Sequence, residues 1–153
     1  MVERKEKMGK KVEYCGLMLG SDYYALPVLQ VQEVVRPMNV TPVPKSQEFV
    51  KGLINLRGQI VTVIDLKLLL GLEKNDLSSG DTKEHKNIII RMPDASLISF
   101  VVDKILDVFE VDFDDLEKVP DTLTTKLKDN SLGVYKLNEK IFVLLDIDKL
   151  INF

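Results

Sequence analysis

The chain is predicted to be mainly β, folded as two small barrels with only short helices. Its apolar runs are short and punctuated by turn signals, and no long stretch keeps helical spacing. The second half also repeats the first: residues Gly52 to Leu69 align without a gap onto Gly133 to Leu150 at a constant offset of 81. Gly52 pairs with Gly133, Leu56 with Leu137, Ile60 with Ile141, Ile64 with Leu145, Asp65 with Asp146, Leu66 with Ile147 and Leu69 with Leu150. A weaker upstream match pairs Val28 with Val102, Val31 with Ile105, Glu33 with Asp107 and Val34 with Val108. Each half reads as hairpin, crossover, hairpin and short helix, the pattern of two small barrels packed side by side.

Residues 1–10 are charged and poor in apolar side chains, so they should form a disordered tail ahead of a domain over 11–153. Lys11 to Leu19 alternates as a strand, and Gly20-Ser21-Asp22 turns it back into Tyr23 to Val28. Leu29 to Val35 begins as one helical turn and then extends, and Pro37, Pro42 and Pro44 exclude a long helix after it. Ser46 is placed to cap a short helix, QEFVK, that Gly52 would end. Within Phe49 to Gly71 two apolar runs flank Arg57-Gly58, a tight hairpin; Asp65 then caps a helix that Gly71 stops. From 73 to 86 the chain loses its apolar periodicity and reads as the polar connection between the two barrels. NIIIRM and LISFVVD form a hairpin around Pro93-Asp94, Ile105 to Val111 alternates, and DFDDLE faces solvent. Asp121 to Asn130 is a polar connection, and the last hairpin turns at Asn138-Glu139 before a short amphipathic helix carrying Ile147, Leu150 and Ile151 on one face.

Agreement between the copies sorts residues by role. Shared glycines end elements, the aspartates cap helices, and the shared aliphatics, Ile60 and Ile141 among them, fill the barrels. Arg57-Gly58 becomes Asn138-Glu139 in the second copy, so the hairpin does not need the arginine, which is free to act elsewhere.

A length of 153 residues with 45% hydrophobic content is enough for a real core, and a net charge of −3 gives no electrostatic footprint for nucleic acid. Basic residues crowd the N-terminus. One cysteine, Cys15, excludes an internal disulfide and points to a reducing compartment; its place in a strand pattern makes it a core thiol. No apolar run approaches membrane-spanning length and no signal peptide opens the chain, which predicts a cytoplasmic protein. The residues also lack the parts of an enzyme. The single histidine, His85, lies in the polar connection and reads as a surface residue. Glu110, Asp112, Asp114, Asp115 and Glu117 lack the glycine and closing glutamate of a calcium loop, and no phosphate-binding glycine motif occurs. No catalytic residue, cofactor or metal is expected, and protein binding remains.

YALPVLQVQEVV, TPVP, FVKGLINLRGQIVTVIDL, SFVVDKILDV and IFVLLDIDKLI, in this order, resemble the CheW family of chemotaxis coupling proteins from about Glu13 to Ile151. Many relatives have proline where Thr62 stands. The resemblance implies two tandem, interlocked SH3-like barrels of five strands each. It implies a non-enzymatic adaptor that couples chemoreceptor cytoplasmic tips to the regulatory domain of the CheA histidine kinase, monomeric alone and part of a chemoreceptor array when assembled. Carried over by position, Val31, Gly52, Arg57, Ile105 and Val108 should meet the receptor in a groove between the barrels that takes a helix side. Glu33 should orient Arg57 through an ion pair, and Val40, Thr41 and Val43 should offer an extended edge to the kinase. Two alternatives stand beside this: an adaptor of the same fold for a non-flagellar chemosensory system, and an oligonucleotide-binding barrel.

Overall fold

The computed structural model describes residues 11–72 and 85–151. The tail at 1–10, and 73–84 of the polar connection, lie outside the described residues. The ten strands are β1 (Lys11–Leu19), β2 (Asp22–Pro27), β3 (Val31–Val35), β4 (Val50–Leu56), β5 (Gln59–Asp65), β6 (Lys86–Arg91), β7 (Leu97–Val102), β8 (Lys104–Asp112), β9 (Ser131–Leu137) and β10 (Lys140–Leu145). Among the described residues three short α-helices accompany them, α1 (Leu66–Leu69), α2 (Thr125–Asp129) and α3 (Ile147–Leu150), with 3-10 turns at Val28–Gln30 and Phe113–Asp115. The strands form two five-stranded sheets, ordered β8-β1-β2-β10-β9 and β3-β6-β7-β5-β4. The chain divides accordingly into a first unit, made of the segments up to Leu29 and from Leu106 onward, and a second, Gln30–Ile105.

The halves of the sequence repeat are therefore not the folded units. The first hairpin of each half joins the sheet built on the other half's second hairpin, through the parallel pairs β2 with β10 and β5 with β7. Hairpins are local and legible in sequence; a parallel partner is distant in the chain and is chosen by packing.

Each sheet closes on itself through one bridge. Beyond β3, Thr41 exchanges two backbone hydrogen bonds of 2.8 Å with Leu53 on β4. Beyond β8, Glu117 exchanges two of 2.9 Å with Val134 on β9. The repeated glycines exist for this closure. Gly52 has φ 144° and Gly133 φ 156°. A Cβ on Gly52 would lie 2.8 Å from the Thr41 carbonyl carbon, and one on Gly133 would lie 2.7 Å from the Glu117 oxygen. The ladder slips by one residue just before each glycine, so Lys51 and Leu132 bulge out and are exposed.

The repeated aspartates cap as expected, starting α1 and α3. Asp65 accepts from the Leu68 amide at 3.3 Å, and Asp146 accepts from the Lys149 amide at 3.4 Å. The second unit's core gathers Ile54, Leu56, Val61, Val63, Ile89 and Leu97. The first unit's gathers Tyr14, Ala25, Val111, Phe142 and Leu144, with Phe113 and Leu116 packed against it.

Three expectations are corrected. No helix forms over Gln47 to Lys51, and the segment before β4 is a pair of turns. Lys45 takes φ 62°, and the Ser46 hydroxyl donates back to the Val43 carbonyl at 2.8 Å instead of capping a helix. The connection from Asp121 to Asn130 contains α2, capped by Thr124 and anchored by the buried Leu127, a single apolar contact too sparse to show periodicity. Ile60 and Ile141 do not fill barrels. They are 62% and 51% exposed, each lying out of phase with the inward-facing Val61 or Phe142 beside it. Successive side chains of a strand point to opposite faces, so an inward neighbour sends these two out.

Candidate protein-docking surface

The β4–β5 hairpin turns through two left-handed residues, Arg57 at φ 51° and Gly58 at φ 91°. Both positive angles identify the tight turn whose twist matches the flanking strands. Asn55 braces it, its Oδ1 accepting from the Gly58 amide at 2.8 Å. The backbone thus projects Arg57 from the tip, and its side chain is 65% exposed. It does not wave freely. The guanidinium is ion-paired with Glu33 on β3, linking the hairpin tip to the opposite edge strand of the same sheet, across the seam that Thr41 closes. The equivalent turn at Asn138 and Glu139 has φ 52° and 66°, the same geometry with a different message. Glu139 carries a negative charge where the first hairpin has glycine.

The remaining expected residues distribute unevenly. Val31 is half-buried on β3, paired with Ile90, and Ile105 is half-buried at the start of β8. Val108, also on β8, is 51% exposed and belongs to the first unit, whereas Val31, Gly52, Arg57 and Ile105 belong to the second. Gly52 is buried beneath the closing bridge and has no side chain to offer. Val40 packs against the core, and Thr41 already gives its ladder hydrogen bonds to Leu53. Val43 is half-buried, its carbonyl accepting from Ser46.

Of the exposed apolar positions that recur, Val108 is an expected contact, whereas Val34, Ile60 and Ile141 are not. Ile60 and Ile141 are repeat mates, and so are Val34 and Val108; all four are exposed in their own units. The signal was present in the strand phase of QIVTVID, where Ile60 alternates with Val61 and Val63. Beside Ile141 lies a groove of about 410 Å³ whose apolar lining includes Tyr23, Leu123, Leu127, Val134 and Val143, with Asp22 and Glu139 at its margin. The Lys140 ammonium sits 5.2 Å from the centre of the Tyr23 ring, within range of a cation–π attraction. Burial, helped by the Asp22 charge, pushes the neighbouring Tyr24 hydroxyl up to about 12.

The residues weighed for chemistry take structural places. His85 is not the solvated loop residue expected: its Nε2 lies 3.2 Å from Asp103, whose other carboxylate oxygen holds the buried Lys67 ammonium at 2.7 Å. That arrangement neutralises a lysine placed in the apolar base of α1. Cys15 is buried, and burial raises its thiol pKa. Among the described residues no group of three or more metal-ligating side chains occurs, and no helix is long and apolar enough to cross a membrane.

Comparison with known proteins agrees with this architecture along nearly the whole chain. The model of the CheW-like domain matches residues 13–153. The chemotaxis protein CheW of Thermotoga maritima is 32% identical, covering 94% of this chain and 89% of its own, and that of Helicobacter pylori is 26% identical over 97% and 87%. The crystal structure of the scaffolding protein TtCheW from Thermoanaerobacter tengcongensis superposes with a TM-score of 0.80 at 28% identity, covering 94% of both chains. With its paired five-stranded sheets, its exposed hairpin arginine and these relatives, the chain belongs to the CheW-like family of chemotaxis adaptors.

Proposed function

We propose that the protein couples the cytoplasmic tip of a chemoreceptor to the regulatory domain of a CheA-type histidine kinase, in the cytoplasm and by binding alone. The observation that carries this is the duplicated docking position: an exposed isoleucine stands after the same tight turn in each unit, Ile60 beside Arg57 and Ile141 beside Glu139. Equal geometry with unequal charge gives two surfaces that accept different partners, which is what an adaptor needs. Arg57 and Glu33 define the surface of the second unit, with Val31 and Ile105 as its receptor contacts and the stretch through Val40, Thr41 and Val43 as its kinase contact, while Val108 offers a receptor contact on the first unit. Gly52 serves the second unit's surface indirectly, by allowing closure.

The exposed Arg57–Glu33 pair contributes only about 0 to 1 kcal/mol to folding, so its removal tests function more than stability. Arg57→Glu should abolish co-purification with kinase or receptor while circular dichroism and melting temperature stay near wild type. Normal capture of both partners by that variant, or loss of its fold, refutes the assignment.

A further inference from the structure

At the end of the second unit's barrel, where the chain passes from β3 into the Thr41 bridge, lies a cup of about 150 Å³. Val40, Val63 and Val101 supply its apolar walls, and Lys51, His85 and Asn87 are its polar lining. Asn87 is only 3% exposed, so what it shows to solvent it shows to this cup. No carboxylate is among the lining residues; Asp103, which holds His85 and Lys67, is not one of them.

The sister unit shows that the fold does not require this opening. Strand registers match the two units position by position. The pair Asn87 with Val101 corresponds to Tyr14 with Pro27, and Val63 corresponds to Leu144. Counting back from the closing residues Thr41 and Glu117, Val40 corresponds to Leu116. The bulged Lys51 corresponds to Leu132. In the first unit Tyr14 and Leu144 are buried in the core, Phe113 and Leu116 pack on them, and the Tyr14 and Phe113 rings are 6.4 Å apart. The second unit thus replaces a bulky apolar plug by smaller residues, with the Asn87 amide in place of Tyr14, and sets the Lys51 ammonium where the first unit has the exposed Leu132.

We propose that this cup binds a small carboxylate with a compact apolar body, of about the size of benzoate. A cavity of about 150 Å³ holds a benzene-sized molecule, and barrel mouths are recurrent ligand sites. The body rests on Val40, Val63 and Val101, and the carboxylate takes hydrogen bonds from the Lys51 ammonium and the Asn87 amide. Because Val40 directly precedes Thr41, an occupied cup braces the strand that closes the barrel.

The test is a heteronuclear NMR titration of the full chain with sodium benzoate, with benzyl alcohol as the neutral analogue. Saturable shifts should centre on the amides of Val40, Lys51, Val63, Asn87 and Val101. Binding should weaken about tenfold for benzyl alcohol and about tenfold in Lys51→Leu, a surface change that the sister unit already tolerates. Val40→Leu with Val63→Leu, the residues of the filled unit, should abolish binding while the remaining spectrum stays dispersed. Absence of saturable shifts in the native chain overturns the site. Equal affinity for benzyl alcohol, or undiminished binding by Lys51→Leu, overturns its carboxylate specificity. Undiminished binding by the folded double-leucine variant overturns its location.

Discussion

Arg57 is a residue whose backbone and side chain answer to different demands. Its φ of 51° is one that asparagine adopts more readily, and asparagine stands at the matching place as Asn138. Arginine there costs local stability that only its side chain justifies. Ser99 presents the converse case. Its hydroxyl is wholly buried on β7 without a hydrogen-bond partner among the described residues, and its register mate in the other sheet is Ala25. Ser99→Ala should therefore stabilise the protein by about 1 kcal/mol, read as a higher denaturant midpoint at unchanged slope. A lower midpoint would mean that the hydroxyl is satisfied in solution. Nothing in LISFVV announces that its serine faces a core, because the strand is covered on both faces and its alternation is lost.

Among the elements, the decisive one is the bridge that turns an open sheet into a barrel. It consists of two hydrogen bonds, and it depends on a glycine whose backbone angle and missing Cβ are both used. Gly52→Ala should cost about 3 kcal/mol or more, the sum of a strained backbone and a clash with Thr41, and should speed hydrogen exchange at the Thr41 and Leu53 amides. Gly133→Ala should do the same at Glu117 and Val134. An unchanged melting temperature in either variant would show that closure does not depend on that glycine. Hairpins, caps and the C-terminal helical turn were legible because their signals are local: Asp65, Asp146, Gly20 and the Arg57-Gly58 pair each act within a few residues. The turns at Ser46 and the α2 helix were not. A hydroxyl that could cap a helix is equally able to donate to a carbonyl just before it, as Ser46 does.

At the scale of the molecule, the first unit is set apart by two buried phenols. Tyr14 and Tyr24 both lie in the first unit, and burial, with the charges of Asp146 and Asp22 as smaller contributions, pushes each hydroxyl from 10.0 up to about 12. Between those values the unfolded chain releases protons that the folded chain keeps. The stability conferred by the neutral tyrosines is complete below about pH 10 and is lost as pH rises toward about 12. The melting temperature should fall over that range, and Tyr14→Phe with Tyr24→Phe should flatten the fall; an identical alkaline profile in the double variant would contradict it. Under the proposed function the two units present separate surfaces as well. Ile60→Glu and Ile141→Glu should each impair capture of a different partner from a reconstituted receptor, kinase and adaptor mixture, leaving the other bound. Loss of the same partner in both would refute two separate surfaces.

Strands, tight turns, the helical turns capped by Asp65 and Asp146 and the twofold repeat could be read from the residues alone, because each follows from side-chain phase, φ preference or a short hydrogen bond. Arg57 stood out in the same way, as what the two copies do not share. Long-range packing, in contrast, set which hairpin joins which sheet, turned Ile60 and Ile141 toward solvent, and gave Gly52 its part in closure. Those outcomes depend on partners far away in the chain, and a strand's own residues fix its two faces without fixing what will cover them.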